Sequence, residues 1–202
     1  MKCLIIYAHP NPESFNHAIL EAVTNKLVAL GATVEVRDLY KLNFNPSFSL
    51  ADLEANRKGE VLPDVKIEQD FITQSEKIIF IAPIWWNLLP AMLKGYFDRV
   101  FTMGFAMAKI PEGCTGLLGD KKFGMLNTIS SPKEDMIRNG DTAAINHLVD
   151  NGIFKVVNSP LCFHHIFYSV DSVGDEARHE MLHEAEHVIE QFMLDPNYCP
   201  FF

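Results

Sequence analysis

Hydrophobic residues along the chain alternate between short runs typical of buried β-strands and longer stretches with helical spacing. Residues 77–82 (KIIFIA) are apolar almost throughout, as expected for a parallel strand covered on both faces. Residues 33–37 (TVEVR) alternate between apolar and polar side chains, which also predicts a strand. With three similar runs, the pattern predicts five strands. They lie at residues 2–8, 33–37, 77–82, 122–127 and 154–160. Whether the fifth strand includes part of residues 161–170 stays open at this point.

Between these strands, apolar residues recur with the period of an α-helix. In residues 16–30 they fall on one helical face, and Gly31 follows as a typical helix terminator. Alternating strands and helices predict an α/β fold, with a doubly wound parallel sheet and helices on both faces. Because the 202 residues contain no linker or repeat, we expect a single domain, 1–202. The other predicted helices lie at residues 50–56, 65–75, 90–100, 142–151 and 176–194.

Three segments that follow predicted strands carry polar and aromatic side chains. They are residues 8–16, 83–87 and 128–131, which lie far apart in the sequence. In an open parallel sheet, ligands bind outside the carboxyl ends of the strands, where the strand order reverses. We therefore expect the three segments to converge on one crevice.

The first of these segments, AHPNPESFN, leads into a predicted helix. A helix N-terminus is an anion site because its amide groups lack partners and its dipole is positive there. His9, Ser14 and Asn16 add side-chain donors, which favours a phosphate. Ser14 or Asn16 as a simple helix cap explains the same residues equally well. The segment matches neither a P-loop nor the dinucleotide-binding GxGxxG turn.

The second and third segments are APIWWNLLP and NTISS. Trp85 and Trp86 suit a planar heterocycle at the switch point, although aromatic residues more often fill a core. Hydroxyls and amides of residues 128–131 suit the polar edge of the same ring, although an ordinary strand exit explains them too. Each segment is therefore weak evidence when taken alone.

Charge and cysteine content narrow the function classes. With 17 basic and 26 acidic residues, the net charge is −9, and no basic cluster offsets it. Nucleic acids and anionic membrane surfaces are therefore not expected as partners. The cysteines are scattered and form no CxxC pair, which favours thiols in a reducing compartment over a zinc site or disulfides. They are Cys3, Cys114, Cys162 and Cys199.

One apolar stretch, residues 78–93, resembles a membrane span in composition only. It is shorter than the roughly 20 residues that a span needs. Pro83 and Pro90 also interrupt it, so a strand, a loop and a helix start explain it better. Residues 1–7 read as a strand rather than a signal peptide. We therefore expect a cytoplasmic protein without membrane insertion.

The most specific motif of the chain is LPAMLKGYFDRVF at residues 89–101, which continues PIWWNL. With the further motifs, the chain resembles the NAD(P)H:quinone oxidoreductases of the flavodoxin-like fold over nearly its whole length. That family includes mammalian and bacterial drug-modulator quinone reductases and oxidoreductase subunits of potassium-efflux systems. We predict its five-stranded sheet, with strand order 2-1-3-4-5. The further motifs are His9 with SFN (14–16), GFAM (104–107), GDKK (119–122), NGIF (151–154) and EAR (176–178).

The resemblance also implies site residues and a homodimer with sites at its interface. It places Phe105 and Met107 in the substrate cavity and Arg178 near an adenine, which favours FAD over FMN. It implies contacts to the flavin phosphate at His9, Ser14, Phe15 and Asn16. It implies contacts to the isoalloxazine ring at Pro83, Ile84, Trp85, Trp86, Asn87, Thr128, Ile129, Ser130 and Ser131.

The expected function is the two-electron reduction of a quinone or a similar nitro or azo acceptor by NADH or NADPH. The flavin itself carries the chemistry, so no catalytic side chain is assigned. The nicotinamide gives a hydride to the flavin and leaves, and the acceptor then occupies the same slot, which predicts ping-pong kinetics. A regulatory or ancillary flavoprotein subunit and a flavodoxin-type electron carrier stay open as alternatives.

The chain departs from the family pattern at two places. The family's Thr-Thr-Gly-Gly after the fourth sheet strand is Thr128, Ile129, Ser130 and Ser131 here, and side chains replace the glycines that let backbone approach the ring. The tyrosine and histidine that assist hydride transfer in mammalian members have no clear counterparts. Asn139 falls near the position of that histidine.

A rival motif lies in the last predicted helix. HEMLH (179–183) and HEAEH (183–187) both fit HExxH, the signature of zinc hydrolases. The apolar residues of this helix form one stripe, which leaves the histidines on a solvated face. No third-ligand motif follows, so we expect no metal site, and a zinc hydrolase is the remote alternative.

Overall fold

The computed structural model describes residues 1–195 and 198 and contains a five-stranded parallel sheet and a separate hairpin. The sheet strands are β1 (Lys2–Tyr7), β2 (Thr33–Asp38), β3 (Lys77–Pro83), β6 (Lys122–Thr128) and β7 (Leu161–Phe167), and the hairpin strands are β4 (Met107–Ile110) and β5 (Gly113–Gly116). The sheet order is β2-β1-β3-β6-β7. The predicted flavodoxin-like order 2-1-3-4-5 is therefore confirmed.

Helices cover both faces of this sheet. Most of their bounds lie within a few residues of the predicted ones. The short helix at residues 133–138 was not predicted, and the region before β7 differs as described below. They are α1 (Phe15–Ala29), α2 (Leu50–Arg57), α3 (Pro63–Thr73), α4 (Ala91–Val100), α5 (Lys133–Arg138), α6 (Asp141–Asn146) and α7 (Asp175–Leu194), and a π-helical segment, His147–Lys155, continues α6.

Strand β3 is buried along its whole length and separates two hydrophobic cores. Ile79 and Ile81 pack in the core beneath α1 and α7. Ile78 and Phe80 pack in the core beneath α3, α4 and α6. Burying one such side chain contributes about 1.5–3 kcal/mol. The continuous apolar run of this strand thus reflects two covered faces, as the sequence predicts.

The parallel register aligns the carboxyl ends of four strands. Tyr7 of β1 lies opposite Ile81 of β3. Pro83 at the end of β3 lies opposite Thr128 of β6, which in turn lies opposite Phe167 of β7. The loops that leave these strands therefore start at the same edge of the sheet.

The segment before β7 differs from the prediction. The chain stays helical through Gly152 and ends its π-helical segment at Lys155, so the predicted strand at residues 154–160 is wrong. Phe154 is fully buried and packs against the rings of Phe80 and Phe123 from this helical position. A short apolar run fits a strand or a buried helix turn equally well, and the ring contacts decide between them.

The hairpin of β4 and β5 was not predicted from the sequence. Met107 in β4 pairs with Gly116 in β5 in an antiparallel ladder. Both strands have four residues, and β5 begins and ends with glycine. Strands this short give almost no period-2 signal, which explains why the pattern missed them.

A buried ion network joins α4 to α2 and α3. The Arg99 guanidinium donates from Nε to Asp52 Oδ1 (2.9 Å) and from Nη1 to Asp64 Oδ2 (2.6 Å). Burial alone would raise the pKa of Asp52, but hydrogen bonds from Ser49 and Arg99 outweigh burial and lower that pKa. Arg99 and Asp52 are both buried, whereas Asp64 is half exposed, so the cost of about 3–5 kcal/mol that is common for breaking a buried pair applies to Asp52. The network therefore fixes the α2–α3 segment against α4.

No helix of the described residues is both long and apolar enough to cross a membrane. Residues 78–93 instead form β3, the loop after it and the start of α4, as expected. Of the cysteines, Cys3 and Cys162 are buried and Cys114 is exposed. Cys199 lies outside the described residues.

Gly95 marks the closest approach between α4 and the loop before α2. A Cβ atom added at Gly95 would lie 2.1 Å from the Pro46 carbonyl oxygen, and backbone cannot yield as a flexible side chain does. Gly152 in the π-helical segment offers a contrast, since an added Cβ there has no atom within 4 Å. Close packing thus requires glycine at the first position only.

We expect Gly95→Ala to lower the free energy of unfolding by about 1–3 kcal/mol, because it overpacks a backbone contact. Gly152→Ala should leave stability unchanged or raise it by up to about 1 kcal/mol, since alanine restricts the unfolded chain. Urea denaturation followed by circular dichroism measures both. Equal stability of the two variants would contradict the close approach of α4 to Pro46.

Candidate functional site

Helix α1 begins at the end of the loop that leaves β1. Ser14 is its N-cap, and the Ser14 hydroxyl accepts a hydrogen bond from the His17 amide at 3.2 Å. The capping alternative is therefore correct for Ser14. In the hydrogen bonds of the described residues, the amides of Phe15 and Asn16 find no acceptor. Two donors at the positive end of the helix dipole thus stay available for an anion.

His9 lies beside Trp85 in the same region, with ring centroids 5.8 Å apart. Burial lowers the pKa of His9 below its ordinary value, and the hydrogen bond with the Asn11 backbone opposes this only in part. Asn11 presents both its amide (3.1 Å) and its carbonyl (3.2 Å) to Nδ1. In the neutral tautomer that accepts from the amide, Nε2 carries the proton and is a donor.

Asn16 links α1 to the end of β6. It is 4% exposed, and its Nδ2 donates to Thr128 Oγ1 at 2.8 Å. Its Oδ1 atom is buried without a partner in the described residues. Leaving such an acceptor unpaired costs about 1–3 kcal/mol. The oxygen is therefore suited to a donor group, such as a hydroxyl, that a ligand brings.

The residues after β3 form a tight hairpin turn with Trp86 at its tip. The Trp85 amide donates to Leu88 O at 3.0 Å, and the Leu88 amide donates to Trp85 O at 3.1 Å. Trp86 (φ 53°) and Asn87 (φ 59°) are both left-handed, which is strained for tryptophan. Trp86 is 98% exposed, so the core-filling alternative is wrong for it.

Two adjoining cavities lie at the carboxyl edge of the sheet, with volumes of about 560 and 450 Å³. They adjoin because both are lined by Ile84, Trp85, Ile129 and Ser130. From the predicted set, the larger cavity is lined by His9, Ser14, Phe15, Asn16, Pro83, Ile84, Trp85, Thr128, Ile129, Ser130 and Arg178. The smaller cavity adds Trp86, Asn87 and Ser131.

Several residues that line the larger cavity were not predicted from the sequence. Asn11, Glu13 and Ala18 come from the loop after β1 and the first turn of α1. Val170 and Asp171 come from the loop after β7. The correct end of β7 would have placed this loop beside the other three, so the error in that strand concealed it.

Arg178 in the first turn of α7 also reaches the larger cavity. Its Nε donates to the Val170 carbonyl at 3.2 Å, and its Nη1 donates to Asp175 at 3.2 Å. Its Nη2 has no acceptor in the hydrogen bonds of the described residues. One guanidinium donor therefore stays available on the lining of this cavity.

Phe105 and Met107 are not brought to these two cavities within one chain. Phe105 lines a separate cavity of about 500 Å³ beside Val61, Lys66 and Thr102. Met107 lies in β4 and packs against the same core as Phe105. The predicted substrate residues and the predicted flavin residues therefore occupy different parts of the chain.

The histidines of the rival motif lie on an exposed face of α7. His183 approaches Glu186 at 3.5 Å, and Glu184 approaches His165 at 3.5 Å. In the described part of the chain, no group of three or more His, Cys, Asp or Glu side chains is placed to hold a metal ion. Geometry thus adds no support to the zinc motif.

Comparison with known families places residues 1–192 in a family described by its flavodoxin-like fold. The chain is 36% identical over 183 residues to an uncharacterized NAD(P)H oxidoreductase of Haemophilus influenzae, covering 90% of this chain and 91% of that protein. It is 29% identical over 202 residues to NAD(P)H dehydrogenase [quinone] 1 of Rattus norvegicus, covering 90% of this chain and 73% of the relative.

A solved structure shows the same architecture. The NAD(P)H:quinone oxidoreductase of Methanothermobacter marburgensis superposes with a TM-score of 0.86 at 28% identity. The similarity covers 96% of this chain and 98% of the other. The likeness therefore extends over both the sheet and the loops at its carboxyl edge.

Proposed function

The chain belongs to this flavodoxin-like family, which contains NAD(P)H oxidoreductases and quinone dehydrogenases, and it is an oxidoreductase. From that premise we propose that it binds a flavin and passes two electrons from NADH or NADPH to a quinone or a similar nitro or azo acceptor. The observation that supports this proposal most directly is the buried Asn16 Oδ1, which has no hydrogen-bond partner in the described residues. It belongs to a residue that lines a cavity between a helix N-terminus and an aromatic hairpin.

The donor set of the cavity fits the polar tail of a flavin. The free amides of Phe15 and Asn16, with the His9 ring beside them, suit a phosphate. The unpaired Asn16 oxygen suits a hydroxyl of the ribityl chain, because it is an acceptor that lacks a donor. Neutral His9 contributes a hydrogen bond rather than a charge, so the helix dipole supplies most of the attraction.

The opposite side of the cavity fits the ring. Trp85 and Trp86 offer flat apolar faces, and Ile129 adds an apolar contact in place of a family threonine. Ser130 and Ser131 supply polar groups beside them. Ligand sites of about 300–1,000 Å³ that are mainly apolar with a few placed polar groups bury most of a ligand's surface.

We propose FAD rather than FMN as the resident flavin. The lining of the larger cavity includes Arg178 as well as the α1 N-terminus, and a single phosphate at that N-terminus does not need both. The free Nη2 donor of Arg178 suits a second phosphate or an adenine ring. FMN in this site would leave the guanidinium without a ligand contact.

The proposed flavin contact of Trp86 predicts a loss of flavin affinity in Trp86→Ala. Stacking on an aromatic side chain is worth about 1–3 kcal/mol, so we expect a dissociation constant weaker by about tenfold or more. Fluorescence titration of the apoprotein with FAD and with FMN measures it. His183→Ala, on the exposed face of α7, should match the wild type in both affinity and turnover.

Three outcomes of the flavin titration, combined with an assay of NAD(P)H oxidation, separate the alternatives. Failure of the wild type to bind either flavin would remove the oxidoreductase chemistry proposed here and favour an ancillary regulatory subunit. Flavin binding without oxidation of NAD(P)H would favour a flavodoxin-type electron carrier. Loss of activity in His183→Ala at full flavin occupancy would indicate a functional role for α7 and favour the zinc hydrolase motif.

When bound, the flavin supplies the redox chemistry by accepting two electrons from the nicotinamide and releasing them to the acceptor. The chain binds and orients it: Asn16 and the α1 amides hold the tail, and the hairpin of Trp85 and Trp86 limits access of water to the ring. The smaller cavity beside Trp86 is one opening of about 450 Å³, and we propose that donor and acceptor use it in turn.

A shared opening predicts ping-pong kinetics. Double-reciprocal plots at several fixed acceptor concentrations should give parallel lines, because the donor's product leaves before the acceptor binds. Initial-rate measurements with NADH and with NADPH against a benzoquinone test this directly. Intersecting lines would indicate a ternary complex and rule out the shared opening.

We also propose a homodimer in which Phe105 borders the opening of the partner chain. Phe105 lies away from the flavin cavity of its own chain. Apolar side chains are exposed in the loops near Phe105 and near the flavin cavity, namely Met103 near the former and Trp86 and Leu88 near the latter. Apolar surface of this kind commonly marks a protein interface. A second copy of the chain would complete the acceptor site.

The dimer predicts one sedimenting species of twice the 22.9 kDa chain mass at micromolar concentration. Phe105→Ala should lower kcat/KM for the acceptor several-fold, and its flavin affinity should stay unchanged because the flavin contacts lie on the other chain. Sedimentation velocity and flavin titration provide the two measurements. A fully active monomer would contradict the arrangement.

We propose that the protein acts in the cytoplasm as a single domain. Cys3 and Cys114 are free thiols, as is usual in a reducing compartment. NADH and NADPH are also available there. Quinone-reductase activity in the soluble fraction of cells that express the chain would support this, and activity confined to another fraction would oppose it.

A further inference from the structure

Asp171 places a carboxylate on the wall of the larger cavity. It follows β7, and its Oδ2 accepts a hydrogen bond from the Ser130 hydroxyl. Backbone hydrogen bonds fix the two loops relative to each other: Val170 N donates to Ile129 O at 3.3 Å, and Ser169 N donates to Ser131 O at 3.2 Å. The carboxylate is therefore held in place by both backbone and side-chain contacts.

Ser130 connects this carboxylate to the ring side of the site. It is one of the residues that line both cavities, beside Trp85 and Ile129. Its position is that of a glycine in the family pattern Thr-Thr-Gly-Gly. Glycine has no hydroxyl, so a chain with glycine there cannot hold Asp171 in this way. The departure from the family pattern thus creates the contact.

The charge of Asp171 is not balanced by a neighbouring cation. Arg178, which lines the same cavity, pairs with Asp175 and donates to the Val170 carbonyl instead. In the described part of the chain, Asp171 makes no ion pair with a lysine, arginine or histidine. Glu13 adds a second carboxylate to the lining. Asp171 therefore adds a negative charge beside Ser130, on a lining that also includes the cation Arg178.

We propose that Asp171, positioned by Ser130, lowers the reduction potential of the bound flavin. Two electrons taken from NAD(P)H raise the electron density of the ring until the acceptor removes them, and a nearby fixed carboxylate disfavours that reduced form. The inference rests on the proposed flavin function. Its consequence is a stronger reductant, suited to acceptors of low potential such as nitro and azo compounds.

The test is Asp171→Asn, which removes the charge and keeps an oxygen for the Ser130 hydroxyl. We expect the reduced form to gain about tenfold over the oxidised form, a rise of about 30 mV for a two-electron couple. Spectroelectrochemical titration of the flavin-loaded protein measures this without turnover. Asp135→Asn is the matched control, since that carboxylate pairs with Arg138 outside both cavities and should leave the potential unchanged.

Two further measurements separate an electrostatic effect from a structural one. Ser130→Ala should raise the potential by a smaller amount, because the freed carboxylate can turn toward solvent. The difference between wild type and Asp171→Asn should shrink in 1 M salt, where the screening length is about 3 Å. A shift that is equal at low and high salt would indicate rearrangement and overturn the electrostatic role.

The inference and the proposed function fail in different ways. A wild-type protein that binds no flavin overturns both. Flavin bound normally, with the same potential in Asp171→Asn as in the wild type, overturns the inference alone. An equal shift in Asp135→Asn also overturns it, because the effect would then reflect overall charge rather than the carboxylate at the cavity.

Discussion

The parallel pairing of β3 with β1 on one side and β6 on the other determines where every part of the candidate site lies. Pro83 opposite Thr128 brings the Trp hairpin beside the loop after β6, and Tyr7 opposite Ile81 brings the start of α1 to the same edge. The packing of β3 between two separate cores fixes this register, since a slip of one residue would move Ile78 and Phe80 into the core that is shaped for Ile79 and Ile81. The chemistry therefore depends on a largely apolar strand, whose charged residue, Lys77, lies at the end away from the site.

The site combines stable and costly features. Asn16 ties α1 to β6 through Thr128, yet it leaves its own oxygen unpaired. Trp86 is both exposed and left-handed, which a domain selected for stability alone would avoid. Unfavourable local features that cluster at one edge of a well-packed sheet are typical of a ligand site, where binding offsets the cost.

The sequence predictions were correct where the local pattern of residues was compatible with only one kind of structure. The apolar run of β3 and the strand-to-helix loop at Ser14 both lie where they were predicted. It was wrong at residues 154–160, because Phe154 is apolar enough for either a strand or a helix and its ring contacts with distant aromatics decide. That error also hid the loop that carries Asp171.

By itself, the sequence determined the α/β class, the strand order through the family motifs and the three loops that meet at the carboxyl edge. These depend on periodicity and on short motifs, which are local properties of the chain. Only the tertiary structure decided that Trp86 is exposed, that Phe105 lies away from the flavin cavity, and that Ser130 holds Asp171. Each of these depends on contacts between residues far apart in sequence, and a spacing pattern carries no information about such contacts.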